Sequence, residues 1–118
     1  MRVIVCGSRG WWDRETIAGT LFDLPGNTMI VHGAAKGADR MAEQEAQKLG
    51  LLVEAHPADW GAHGKQAGLI RNAIMAELGA DLCIAFWDGE SNGTDHMIRE
   101  ATKRQIPVLI VPKDGERS

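Results

Sequence analysis

Three apolar runs in this chain each break into a polar, glycine-bearing loop, and a helix-like pattern follows each loop. Val3-Ile4-Val5-Cys6 leads into Gly7-Ser8-Arg9. Met29-Ile30-Val31 leads into the stretch from His32 to Asp39, which contains Gly33 and Gly37. Leu82 to Phe86 leads into the stretch from Trp87 to Thr94, which contains Gly89 and Gly93. Short β-branched-rich runs of this kind read as strands buried on both faces, as in a parallel sheet covered by helices. In such a sheet all three loops lie on one edge, at the carboxyl ends of the strands, where open α/β folds bind ligands. Glycine lets the backbone approach a phosphate, and the following helix N-terminus attracts its charge. Three such loops in 118 residues point to a pocket for a phosphorylated ligand, with a nucleotide as the leading class.

Length and charge narrow the partners. At 118 residues the chain reads as one domain, residues 1–118, large enough to bury a core without disulfides or metals. Its net charge of −3 is the wrong sign for a dedicated duplex-DNA binder, which needs a basic surplus to displace counterions. Nucleic acid is therefore not the expected partner. A small anionic ligand needs only a few local cations, and these are present. No apolar run reaches the roughly 18 residues of a membrane span, and the first residues read as a strand rather than a signal peptide. Cys6 and Cys83 sit inside apolar runs with no metal-ligand or Cys-x-x-Cys spacing, which reads as reduced core thiols in a cytoplasmic protein.

The remaining pattern completes an alternating βαβαβαβαβ order. Strands are expected at 2–6, 28–32, 51–55, 81–86 and 107–111. Helices are expected at 13–23 with Asp13 as N-cap, at 37–49 stopped by Gly50, at 65–78 and at 93–104. Ala67, Ile70, Ile74 and Leu78 are read as the inward stripe of the third helix, and the tail from Lys113 as frayed. Right-handed crossovers give a Rossmann-like, five-stranded parallel sheet of order 3-2-1-4-5. Its switch point lies between the first and fourth strands, so Gly7-Ser8-Arg9 and the loop from Asp88 to Thr94 flank the crevice.

Within that frame each candidate carries a plain alternative. Ser8 and Arg9 can donate to a phosphate, or form an ordinary strand-to-helix turn. Of Trp11 and Trp12, adjacent in one loop, one packs while the other stacks a base or faces a partner subunit. His32 either touches ligand or is a hydrogen-bonded wall. Lys36 adds charge to a loop bent by Gly33 and Gly37, and Asp39 either caps a helix or binds a ribose hydroxyl. Trp60 and Lys65 suit an aromatic lid over a base, with Trp87 as another stacking candidate; anchoring the loop is the rival role for Trp60. Arg71-Asn72 is solvated surface or aimed at the pocket. Gly89, Gly93 and Thr94 form the strongest phosphate candidate, with Asp88 on sugar hydroxyls or a helix end. Neither a metal nor a cofactor is called for, since the histidines lack zinc spacing and no P-loop motif is present.

Taken together, certain motifs resemble the SLOG superfamily, and within it the small YspA-type, cpYpsA-related group. They are Gly7-Ser8-Arg9, His32-Gly33-x-Ala35-x-Gly37-Ala38-Asp39-x-x-Ala42, Pro57-Ala58-Asp59-Trp60, Gly64-Lys65-x-Ala67-Gly68-x-x-Arg71-Asn72-x-x-Met75, and Ala85-Phe86-Trp87-Asp88-Gly89-x-Ser91-x-Gly93-Thr94. The resemblance covers nearly the whole chain. It implies a Rossmann-like fold that binds a nucleotide or nucleotide-derived ligand, such as a nucleoside phosphate, an ADP-ribose-like molecule or a cyclic nucleotide, as a sensor or sponge. It also implies a homo-oligomer, dimeric or larger. The superfamily includes the LOG phosphoribohydrolases, which cut the base from a nucleoside monophosphate using a helix arginine and a glutamate three residues after the Gly-Thr of the last loop. Arg71 matches that arginine, which places it in the pocket. Met97 occupies the glutamate position, so a hydrolase of this kind would need Glu90, Asp95 or Glu100 instead. The chain is also similar to the DNA-processing protein DprA in its Gly-x-Asp stretch and in Arg71-Asn72.

Overall fold

A computed structural model of the chain describes residues 1–112; the tail expected from Lys113 lies outside the described residues. In chain order the elements are β1 (Arg2–Gly7), α1 (Arg14–Phe22), β2 (Met29–His32), α2 (Ala38–Lys48), β3 (Leu52–Ala55), α3 (Trp60–His63), a 3₁₀ turn (Gly64–Gln66), α4 (Ala67–Leu78), β4 (Leu82–Phe86), α5 (Asn92–Lys103) and β5 (Val108–Val111). The five strands are all parallel and lie in the order β3-β2-β1-β4-β5. This is the order the alternation implies.

The two faces of the sheet bury separate cores. Val3, Val5, Ile30, Ile84 and Phe86 pack against Ile17 and Leu21 of α1 and against Ala38, Ala42 and Ala46 of α2. The alternate strand residues, Ile4, Cys6, Val31, Cys83 and Ala85, pack against Met75 and Ala76 of α4 and Met97 and Ala101 of α5. The residues that α2 turns to the sheet are small, Ala38, Ala42 and Ala46. Cys6 and Cys83 are free buried thiols on neighbouring strands. Trp11 is the tryptophan that packs, tilted on Phe86 at 5.6 Å between ring centroids, while Trp12 is 69% exposed.

Helix ends follow their capping chemistry. The Asp13 carboxylate accepts from Thr16 N–H at 3.1 Å and starts α1. Ser91 Oγ accepts from Thr94 N–H and starts α5 at Asn92, one residue earlier than expected. Gly50 takes a φ of 77° just beyond α2, the left-handed stop that glycine allows.

The third helix differs from expectation. Asp59 caps the short α3, the chain turns through Gly64 at a φ of 58°, and α4 begins only at Ala67. Ile74 and Leu78 are not inward: they are 45% and 57% exposed, and Asn72, Met75 and Ala76 face inward instead. Apolar residues occupy most of the circumference of α4, so helical spacing alone does not choose the buried side. Burying Asn72 is possible only because its amide finds partners at the crevice. On α2 the buried apolar face is Ala38, Ala42 and Ala46.

Candidate functional site

The crevice lies above β1 and β4, where the strand order reverses. It encloses about 520 Å³, within the range of small-molecule sites. From the β1 loop it takes Gly7, Ser8 and Arg9; from α2, Asp39; from α3 and the following turn, Trp60 and Lys65; from α4, Arg71 and Asn72. The loop after β4 and the start of α5 contribute Asp88, Glu90, Gly93 and Thr94. Residues from five separate segments thus converge, as their motifs implied. Sequence reasoning did not find Cys6, Gly10, Ala35, Gly68, Leu69, Met75 and Ser91, which also line the space.

Arg71 stands at the centre. Its Nη1–H donates to the Gly33 carbonyl, and its Nε–H donates to Asn72 Oδ1 at 2.9 Å. These two bonds fix the guanidinium plane and leave Nη2 for the cleft. Burial pushes its pKa down while the nearby Asp39 carboxylate pulls it up; a guanidinium stays charged under either influence. Asn72 is the second brace. Its Nδ2 donates to the Gly93 carbonyl at 3.2 Å and lies 3.2 Å from His96 Nδ1, so one amide ties Arg71 to the first turn of α5.

The start of α5 is the natural anion locus. Ser91 Oγ satisfies Thr94 N–H at 3.3 Å and shares a hydrogen bond with Thr94 Oγ1 at 3.0 Å. The amides of Asn92 and Gly93, the first two of the helix, have no carbonyl within their own helix to bond. Asn92 and Gly93 are both exposed, and a Cβ on Gly93 would meet nothing within 4 Å. Across the crevice Ser8 Oγ accepts from Asp88 N–H at 3.2 Å, which leaves its hydroxyl proton to donate. Asp88 Oδ1 accepts from the amides of Glu90 and Ser91 at 2.9 and 3.1 Å; this carboxylate folds the loop that leads into the helix.

Several predicted residues serve the frame rather than the cleft. His32 is fully buried; its Nδ1 accepts from Ala34 N–H at 3.0 Å, so the ring proton sits on Nε2, which donates to Glu43 Oε1 at 3.2 Å. It is the hydrogen-bonded wall, not a ligand contact. Asp39 is neither helix cap nor free for ribose on its inner oxygen: Oδ2 accepts from Gly33 and Ala35 N–H at 3.0 and 3.2 Å. Burial raises its pKa, and those two amides, with His32 and Arg71, oppose the rise.

The glycines of the first two loops are needed by the protein itself. A Cβ on Gly7 would run into Ala38 and the Phe86 carbonyl, and one on Gly37 into the carbonyls of Ser8 and Arg9. Gly37 also has a φ of 78°, which favours glycine. A Cβ on Gly33 would collide with the Arg71 guanidinium.

Lys36 is exposed and does not line the cleft, and neither does Gly89, which takes a φ of 86° in the turn after β4. Trp87 also stands outside it: its Nε1–H donates to the Ser91 carbonyl at 3.1 Å and its ring packs on the α4–α5 core; the exposed Trp12 does not line the cleft either, so the stacking candidate at the cleft is Trp60. Asp95 pairs with Arg99 at 3.0 Å and Glu100 with Arg104 at 2.9 Å, both outside the cleft. Cys6 borders it, but contact with Cys83 and burial push its thiol pKa well up, the opposite of a reactive thiolate.

Residues 1–63 match the family model described as YspA, cpYpsA-related SLOG family. The chain is 44% identical over 117 residues to the Gene 61 protein of Mycobacterium phage D29, covering 92% of this chain and 94% of that protein. Among solved structures it is similar to the X-ray structure of DNA processing protein A (DprA) from Streptococcus pneumoniae. That match has a TM-score of 0.77 and 20% identity, and covers 98% of this chain and 52% of the other, so this chain spans about half of that protein. At that identity the likeness is one of fold. Among the described residues no helix is long and apolar enough to cross a membrane.

Proposed function

Starting from the fact that the chain belongs to the YspA, cpYpsA-related SLOG family, we propose that it binds a nucleotide or nucleotide-derived ligand in the cleft above β1 and β4. The observation that carries the reading is the convergence of three cations, Arg9, Lys65 and Arg71, with Gly93 at the start of α5 on one cleft of about 520 Å³. A phosphate there gains the helix N-terminus, the Ser8 hydroxyl and a guanidinium already held in place. Trp60 supplies an aromatic surface at the rim, and Glu90 and Asp88 suit the hydroxyls of a sugar. The overall charge of −3 favours a small ligand over extended nucleic acid. Calorimetric titration with nucleoside mono- and diphosphates, ADP-ribose and cyclic nucleotides tests the reading. Binding to at least one, lost in Arg71→Ala, is expected; a flat response across the panel would sink it.

A second reading follows from Glu90, the one of the three candidate carboxylates that lines the cleft. A carboxylate facing the anomeric carbon of a bound nucleoside monophosphate stabilises the developing oxocarbenium charge. Water adds to that carbon, the glycosidic C–N bond breaks, and the base leaves with a proton, giving free base and ribose 5-phosphate. Met97, in the position of the LOG glutamate, is fully buried in the core between the sheet and α5 and takes no part. Base release that disappears in Glu90→Gln favours this reading. Unchanged nucleotide after prolonged incubation leaves binding alone.

A further inference from the structure

The cleft has a feature that charge does not explain. Gly68 opens α4 beside the cleft, and a Cβ there would stand 3.6 Å from Arg71 Nη2 and 3.6 Å from Trp60 Cη2. The indole and the guanidinium therefore both border the space over the bare Cα. Each is at about the separation at which flat carbon and nitrogen surfaces touch. The guanidinium is anchored through Gly33 and Asn72, and Trp60 begins a helix capped by Asp59, whose Oδ1 accepts from Ala62 N–H at 3.0 Å. Nevertheless the indole remains 52% exposed, so part of its surface is not used for packing.

We infer that Gly68 is the floor of a slot for a flat heteroaromatic ring, held between the Trp60 indole and the Arg71 guanidinium. The inference rests on the reading of the cleft as a nucleotide pocket and deepens it, because it assigns the ligand's base to a place and makes a base a requirement. Indole stacks on every nucleobase, and a guanidinium adds a cation–π contact from the other side. Arg71 then serves the ligand twice, its face against the ring and its Nη2 edge toward the phosphate. Glycine is required because any side chain at 68 would occupy the space of the ring. A sugar phosphate without a base would leave the slot empty and bind less tightly.

The test compares ribose 5-phosphate with the four common nucleoside 5′-monophosphates by titration calorimetry on wild type, Gly68→Ala, Trp60→Ala and Trp60→Phe. Wild type should prefer the best nucleotide over ribose 5-phosphate by roughly 5- to 150-fold, the span that stacking one base supplies. Gly68→Ala should erase that preference while ribose 5-phosphate binding persists, and its Tm should hold or rise, since alanine is the better helix former. Trp60→Ala should erase it too, and Trp60→Phe should restore part of it. Equal wild-type affinity for ribose 5-phosphate and the nucleotides, or full preference in Gly68→Ala, overturns the slot while leaving the anion pocket standing. Absence of wild-type binding to these five probes and to the diphosphates, ADP-ribose and cyclic nucleotides overturns both.

Discussion

Replacing Gly33 by alanine tests how the β2 loop governs the central cation without touching any charged group. The added methyl would stand 2.6 Å from Arg71 Cζ and 2.9 Å from Nε, and nearer still to Nη1. Such atoms need about 3.5 Å, so something must move by about an ångström. The loop is poorly placed to yield, because the buried Asp39 carboxylate holds the amides of Gly33 and Ala35 at 3.0 and 3.2 Å. The guanidinium is displaced instead, and it gives up its bonds to the Gly33 carbonyl and Asn72 Oδ1. Bonds from a charged donor contribute about 1.5–3 kcal/mol each. A displaced arginine recovers water, so the net cost in stability is about 1–2 kcal/mol, or roughly 4–8 °C in Tm for a domain near this size. The larger effect falls on the ligand. Losing one arginine–phosphate contact of about 1.5–3 kcal/mol weakens the tightest-binding nucleoside phosphate by roughly 10- to 150-fold. Calorimetry on Gly33→Ala, Arg71→Ala and the double variant measures both terms. Since the methyl acts only through Arg71, it should cost almost nothing further in the Arg71→Ala background. Full additivity of the two substitutions, or unchanged affinity in Gly33→Ala, refutes the reasoning.

Other substitutions separate binding from stability. Gly93→Asp places a negative charge in open space at the second residue of α5; the helix dipole should keep Tm unchanged or raise it by up to about 1 kcal/mol of stability, while phosphate binding in the same sample should vanish. Glu54 is held down to about 2 by its hydrogen bonds from Arg2 and His56. Its contribution is therefore present above the ordinary carboxylate range near pH 4.5 and lost as the pH falls toward 2. With the side chain 32% exposed, solvent screening limits it to about 1–2 kcal/mol. Glu54→Gln should remove that much at pH 7 and flatten the acid limb of the Tm profile; an unchanged limb would contradict it. Trp11→Ala should cost about 3–5 kcal/mol, as large aromatic truncations in a core do, whereas Trp12→Ala should leave denaturant midpoints within error.

The fold was legible because its signals are local and repeated. Each strand is a short apolar run bounded by a turn, and the alternation with helices leaves few topologies open. The helix starts at Asp13 and the stop at Gly50 were readable from single residues because capping needs one side chain or one left-handed backbone. The buried side of α4 was not, since Ile70, Ile74 and Leu78 make as plausible an apolar stripe as Met75 and Ala76 do. What decides between them is Asn72, whose burial depends on Gly93 and His96 arriving from α5, a contact that no spacing within α4 reveals. The site was legible in outline and misread in part for a related reason. Glycine in a loop signals close approach but not what approaches. At Gly7, Gly33 and Gly37 it is another piece of the protein, whereas at Gly93, in the first turn of α5, a Cβ would meet nothing, and at Gly68, in the first turn of α4, it would just touch Trp60 and Arg71. His32 and Trp87 sit at strand ends near the cleft in sequence, yet their ring nitrogens are taken up by Glu43 and Ala34 and by Ser91 respectively.

The most direct test of the nucleotide pocket is native mass spectrometry of wild type and Arg71→Ala, each purified gently and then incubated with the panel of nucleoside phosphates, ADP-ribose and cyclic nucleotides. The expected result is a wild-type species heavier by the mass of one of these ligands and a bare Arg71→Ala that is still folded, its Tm lower by the roughly 4–8 °C that losing the two Arg71 bonds costs. A bare wild type across the whole panel, or the same adduct on both proteins, would contradict a ligand held by Arg71 in the cleft above β1 and β4.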